Sequence, residues 1–359
     1  MSVSVRHRVG ALVYDWIPFE MRMLGRGSAS GRIEPWLQIR NRRETISVNE
    51  RGVRCDWRFA SDLHLSKVFP LTAARLMRRS LARWPITMRD APASMNAQPR
   101  LSFLIGHRGA GRLPHLLATL RNIAGQSGVA FECIVVEQSV VPEVERFLPS
   151  WVRYVHTPLP RPDLPYCRSW AFNVAVRQAR SDILVFHDND VLIPERFAYE
   201  AVERVMEGYS FVDLKRFMFY LDVAVTARVF VTGAPPKGVA ARVVQNLMGG
   251  NIVARRDAYE AIGGFDESYI GWGGEDNDFA DRADVVGGVY RFGYMPMLHL
   301  EHPPQPGKSS QTSDAIQRYR VMEAVDPASR IARLRSIEQG RMDGPASFDQ
   351  ERYPAPTAG

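Results

Sequence analysis

The chain has 359 residues, 45% hydrophobic and 24% charged, a composition ordinary for a globular protein. No run approaches the roughly 18 apolar residues of a membrane-spanning helix, and Cys55, Cys133 and Cys167 are too scattered for a disulfide framework or a cysteine metal site. Residues 1–100 hold 18 Lys and Arg against 8 Asp and Glu, a net of +10, whereas the whole chain is +7, so the remainder sums to −3. The three thiols read as free, in a reducing cytoplasm, and the N-terminus shows no cleavable signal pattern.

Residues 1–98 read as a basic accessory region ending in a linker, Ala91 to Pro99. Thr45–Val48 and Val53–Trp57 read as short strands joined through Asn49-Glu50-Arg51-Gly52. Leu71 to Trp84 reads as a basic helix with Leu71, Ala74, Met77 and Leu81 on one face. That helix either docks on a core or lies on a membrane surface. The basic segment implies an acidic partner, with an anionic lipid surface, nucleic acid and a charged glycan as the classes it would suit and peripheral membrane contact as one reading. Nucleic acid is not expected, because the arginines are scattered and no aromatic-rich groove motif accompanies them.

At Leu101 the pattern changes. Leu101–Ile105 is a buried-strand run that ends at Gly106-His107-Arg108-Gly109. A helical pattern covers Leu113–Ile123, and Phe131–Val136 is a second strand ending at Glu137. Strand, loop, helix, strand at this spacing predicts a parallel βαβ unit, whose ligands gather at the carboxyl ends of the strands. His107, Arg108 and Glu137 occupy those ends. A helix from Cys167 to Ala179 carries Arg168 at its start. Ile183–Phe186 is a third buried strand, and it runs into His187-Asp188-Asn189-Asp190. Two carboxylates that close repel, and a hard divalent cation shared with a diphosphate would resolve the conflict.

Strands are expected near 209–213 and 217–225, then Gly249-Gly250-Asn251 and a strand at Ile252–Ala254. A helix from Arg256 to Ile262 ends at Gly263-Gly264. Next comes Gly271-Trp272-Gly273-Gly274-Glu275-Asp276-Asn277-Asp278, a glycine-rich run followed by three carboxylates. It reads either as a mobile lid that delivers a carboxylate or as a solvated loop entering a helix with an acidic first turn. A strand to Leu298 runs into His299-Leu300-Glu301-His302, two histidines placed to complete a metal site with a distant Asp. A last helix starts at Asp326-Pro327, and residues 336–359 are expected to form a flexible tail.

The ordered series Asp-x-Asp, Gly-Gly-Asn, Gly-Gly-Phe-Asp, Trp-Gly-Gly-Glu-Asp and His-x-x-His, over residues 100–310, resembles the GT-A glycosyltransferases. More narrowly, its N-terminal half is similar to the bacterial family-2 type. Its C-terminal half is similar to β-1,4-galactosyltransferases and chondroitin-type polymerases. The resemblance implies an α/β fold, a Rossmann-like mixed sheet flanked by helices over residues 99–335. It implies an inverting, metal-dependent transferase in bacterial surface-glycan synthesis, cytoplasmic or peripheral at the inner membrane face. A UDP-sugar would be the donor and a glycan or glycolipid the acceptor.

Position by position, it implies Asp190, His299 and His302 as ligands of Mn²⁺ or Mg²⁺, with Asp188 near the ribose and the metal. Arg168 and Tyr166 would meet the nucleotide, and Glu137 would meet uracil where the family commonly has Asp. Gly249 and Gly250 would lie along the donor sugar, Trp272 would cover donor and acceptor, Asp276 would be the base, and Glu275 would orient the acceptor. His299 stands where galactosyltransferases usually have Met, which leaves the preferred metal open. Leu247 lies near the expected position of the sugar's C2 substituent. The alternatives are a nucleotidyltransferase on the same fold and a non-catalytic nucleotide- or glycan-binding scaffold.

Overall fold

The computed structural model describes residues 5–24, 33–57, 59–93, 97–236, 240, 242–303 and 314–345. Its centre is a seven-stranded sheet in the order Val289–Tyr290, Phe211–Val212, Asn251–Arg255, Ile183–His187, Leu101–His107, Phe131–Ser139, Val152–Pro158. The last four run parallel, and Asn251–Arg255 is antiparallel to its neighbours. Parallel strands buried on both faces are largely apolar: Leu101, Phe103, Leu104 and Ile105 have no exposed surface. Alternation divides them between two cores. Phe103, Ile105 and Val135 pack on the side of the Leu113–Ala124 helix, and Leu104, Ile134 and Val136 on the side of the Arg168–Gln178 helix. The expected helix–sheet–helix architecture is present.

A second, five-stranded sheet runs Ser61–Asp62, Arg242–Gln245, Lys215–Tyr220, Met295–His299, Val191–Leu192. It draws strands from both ends of the chain. The N-terminal region therefore builds on to the rest: Phe19, Trp36, Leu37, Val53 and Leu63 share one hydrophobic core with Leu101 and Phe103. Buried Arg216 donates to the carbonyls of Leu37, at 2.7 Å, and Ile39. The Ile46–Val48/Val53–Cys55 hairpin forms as expected and is fastened by a bridge from Val53 to Gly293.

The core-docked reading of the basic helix holds, with Leu71 off the buried face, and two further elements differ from expectation. The basic helix, Pro70–Arg83, docks Ala73, Leu76 and Met77 into the core and leaves Leu71 82% exposed. Its apolar face is thus unavailable to a bilayer. The exposed apolar stripe lies instead on the helical segment 5–21, where Val5, Val9, Val13, Ile17 and Met21 face outward. The stretch after Tyr220 is a helix, Val223–Thr232, not a strand. Residues 336–345 pack rather than hang free. Trp170 Nε1 donates to the Arg341 carbonyl at 2.7 Å, and Gly340 N–H to the Glu267 carboxylate at 2.6 Å. Residues 346–359 of the expected tail lie outside the described residues. Among the described residues no helix is long and apolar enough to cross a membrane.

Candidate active site

Two strand ends make the site. Ile183–His187 delivers His187-Asp188-Asn189-Asp190, and Val191–Leu192 then pairs antiparallel with Met295–His299 so that His299 lies opposite Val191. Leu300 N–H closes on the Asp190 carbonyl at 2.8 Å. This register, not sequence proximity, brings the HLEH segment against the HDND segment.

The three expected metal ligands meet. Ligand atoms of Asp190, His299 and His302 all lie within 4.8 Å of one another. His302 Nε2 is 3.3 Å from Asp190 Oδ2, and His299 Nε2 is 3.7 Å from Oδ1. The second spacing is too long for a hydrogen bond, and Asp190 Oδ1 is buried with no hydrogen-bond partner. An orphaned oxygen on a carboxylate that faces two imidazoles, one at each of its oxygens, is what a cation would satisfy, so the residues fit a divalent ion. The contacts that orient the two rings support this. His302 Nδ1 meets the Pro303 carbonyl at 2.7 Å, which turns Nε2 toward Asp190. His299 stacks on Tyr220 at a centroid distance of 4.4 Å. Burial alone would raise the Asp190 carboxyl, but His299, His302 and Arg112 outweigh it and hold it well below the usual range. Arg112, which no motif singled out, reaches Asp190 Oδ2 at 2.5 Å.

The second cluster centres on Arg168, at the first turn of its helix. Its guanidinium meets Asp188 at 2.7 Å, Asp276 Oδ1 at 2.7 Å and Glu275 Oε1 at 3.4 Å. Glu275 and Asp276 open the Glu275–Val286 helix, where the helix dipole favours acids. Burial pushes the Glu275 carboxyl up to about 7, with the Asp276 charge adding and Arg168 opposing. Burial likewise raises Asp188 to about 6 against the pull of Arg168. The third acid, Asp278, belongs to the fold: it is buried between Arg282 at 2.8 Å and Arg330 at 2.6 Å.

The glycines are required by close approach. A Cβ at Gly249 would stand 2.3 Å from Asp276 Oδ2. Gly250, at φ +94°, has Met218 where its side chain would go. Gly271, Gly273 and Gly274 all have φ near +90°, and Gly271 N–H donates to the Tyr166 carbonyl at 2.9 Å. Half-buried Trp272 lies between them.

Some expected ligand contacts are occupied by the fold. Glu137 has no exposed surface, and both its oxygens accept internal bonds, from Tyr154 O–H at 2.6 Å, Ser139 O–H at 3.0 Å and the backbone of Glu143 and Val144. It braces the loop after its strand and offers a uracil nothing in this conformation. His107 is fully buried, and Asn189 donates to its Nδ1 at 2.9 Å. Burial lowers it to about 4, so a neutral ring supports the HDND segment from beneath. Arg108 donates to the Pro162 and Leu164 carbonyls and so holds the segment leading to Tyr166. The Tyr166 hydroxyl sits over Gly106, where any side chain would collide with it.

Residues 111–263 match the model of glycosyl transferase family 2, and residues 240–302 match that of the N-terminal domain of galactosyltransferase. No curated protein matches the chain. The two matches span residues 111–302, a range that contains the metal cluster, Arg168, Glu275 and Asp276. With the mixed α/β sheet and the cluster able to hold a cation, they support a transferase-type enzyme of the GT-A glycosyltransferase superfamily.

Proposed function

We propose that the protein is an inverting, metal-dependent glycosyltransferase that moves a hexose or N-acetylhexosamine from a UDP-sugar to a hydroxyl of a glycan or glycolipid. One observation carries this: the segment Asp188-Asn189-Asp190 links a cation-binding cluster at one end to a paired Glu275–Asp276 at the other, through Arg168. Asp190, His299 and His302 would hold Mn²⁺, or Mg²⁺ as the alternative, and the ion would neutralise charge on a departing diphosphate.

The protein's own residues do the rest. Asp276 takes the proton of the acceptor hydroxyl, whose oxygen forms a bond to the anomeric carbon. The bond from that carbon to the diphosphate oxygen breaks, its electron pair leaves with the nucleotide, and the configuration inverts. Glu275 orients the acceptor, and Trp272 covers the site against water. The setting we propose is bacterial surface-glycan synthesis at the inner membrane face, with the exposed stripe of segment 5–21 on anionic lipid.

The test is thermal denaturation with UDP, UTP, GDP and dTDP, each with and without Mn²⁺. Nucleotide at a hundred times its Kd adds about 2.7 kcal/mol to the native state, a rise of several degrees. UDP with Mn²⁺ should exceed UDP alone, and His302→Ala should remove that excess. A larger shift with another nucleotide replaces the donor. A preference for UTP over UDP favours the nucleotidyltransferase, and no shift at all favours the scaffold.

A further inference from the structure

A cleft of about 590 Å³ is lined by Asn277, the chain neighbour of the candidate base, and by Val53–Trp57 of the N-terminal region. Its lining includes Met248 and Asn277, the chain neighbours of Gly249 and Asp276, which touch each other at the site. Trp57 and Asp56 line it from the hairpin. The hairpin side is held there: Asn246 donates to the Phe59 carbonyl at 3.1 Å, and Ser61–Asp62 adds a strand to Arg242–Gln245. The strand that carries the chain to Leu247, Met248 and Gly249 is therefore the one on which the N-terminal region is built.

We infer that this cleft is the acceptor site, that it takes a neutral oligosaccharide, and that Trp57 is a sugar-stacking platform within it. The inference rests on the transferase proposal and names that site's acceptor. Three features carry it. The volume falls in the range of about 300–1,000 Å³ typical of ligand clefts, which accommodates more than one sugar ring. Trp57 is 47% exposed and has Phe59 edge-on at 6.2 Å, so its indole is braced yet open. An exposed indole offers an apolar face to the C–H side of a pyranose.

The third feature is charge. Five basic and five acidic side chains line the cleft. Arg54, Lys215 and Arg291 face Asp56, Asp213 and Asp284, at 3.8, 2.9 and 2.8 Å. A cleft for a polyanion would leave cations uncommitted, whereas carboxylates and Asn277 suit hydroxyl groups.

The experiment uses the full chain with UDP and diamagnetic Mg²⁺ and measures saturation-transfer NMR. The probes are p-nitrophenyl β-glycosides of glucose, galactose, N-acetylglucosamine and N-acetylgalactosamine, with the β-glucuronide as the anionic comparator. At least one neutral glycoside should bind better than the glucuronide. Trp57→Ala should weaken it about tenfold, Trp57→Phe should retain most of the binding, and the thermal shift from UDP with Mn²⁺ should stay at the wild-type value in both. Unchanged glycoside binding in Trp57→Ala, preference for the glucuronide, or no binding of any probe to the wild type overturns the inference. Failure of UDP with Mn²⁺ to bind the wild type overturns the transferase proposal instead, through a separate signal.

Discussion

Gly249→Ala isolates the position of the candidate base. The new Cβ would stand 2.3 Å from Asp276 Oδ2, whereas carbon and oxygen rest at about 3.3 Å or more even in close contact. The carboxylate must therefore move by about 1 Å, a displacement that costs on the order of 100-fold in rate when it misplaces a reacting group, or about 2.7 kcal/mol of barrier. The carboxylate cannot swing freely, because Arg168 holds its other oxygen at 2.7 Å. Gly249 is not among the glycines with positive φ, so alanine brings no backbone strain and the fold should persist. The assay is UDP release from the UDP-sugar that the wild type turns over fastest, with the thermal shift by UDP and Mn²⁺ as the folding and donor control. We expect kcat to fall about 100-fold with that shift intact. Gly249→Ala combined with Asp276→Asn should be no slower than Asp276→Asn alone, since both act through one carboxylate. Turnover within threefold of wild type would refute Asp276 as the base.

Two further outcomes follow from the electrostatics and the surface. Burial holds the Glu275 carboxyl protonated up to about 7, against an ordinary value of 4.5. Between those values the native state binds more protons than the unfolded one, so this residue's contribution to stability is lost as pH rises through about 7. Without metal, the Tm of Glu275→Gln relative to wild type should climb from pH 5 to pH 8 and then level, and a flat difference would show that Glu275 ionises normally. At the surface, the wild type should sediment with vesicles containing phosphatidylglycerol and release as salt is raised. Val9→Asp with Val13→Asp, at sites 55% and 47% exposed, should cut that binding at least fivefold, and unchanged sedimentation would remove the stripe from the docking surface.

The parallel half of the central sheet was legible because strands buried on both faces are nearly continuous apolar runs, as at Ile183–Phe186 and at Leu101–Ile105 with the single polar Ser102. The Val223–Thr232 helix was not, because its alternating β-branched residues imitate a strand. The decisive signals lay at its ends: Asp222 caps the Val225 N–H at 2.7 Å, and Gly233 terminates it at φ +60°. The metal cluster was legible as residue types, but its assembly depends on the pairing of Val191 with His299, which only the fold supplies. Nothing in the sequence connects Arg112 to Asp190, 78 residues away. The division of labour among the acids was partly readable: Asp278 and Arg282 are spaced i, i+4 and pair inward. Glu137 shows the opposite limit. Its place at a strand end was visible, but Tyr154 on the adjacent strand, which occupies it, was not.

The charge of the site explains why ligands should act together on it. Asp188, Asp190, Glu275 and Asp276 are four carboxylates served by two guanidiniums, with Arg168 shared among three of them and Arg112 on the fourth. Burial with too few counter-charges raises the carboxyls of Asp188 and Glu275, whereas Asp190, which faces a guanidinium and two imidazoles, is lowered. Proton uptake is one answer to such an imbalance, and a divalent cation is the other. The cation alone must share Asp190 with Arg112, and a diphosphate alone meets a surplus of carboxylates. Each relieves the cost of the other, so metal and nucleotide should stabilise the protein by more together than the sum of their separate effects.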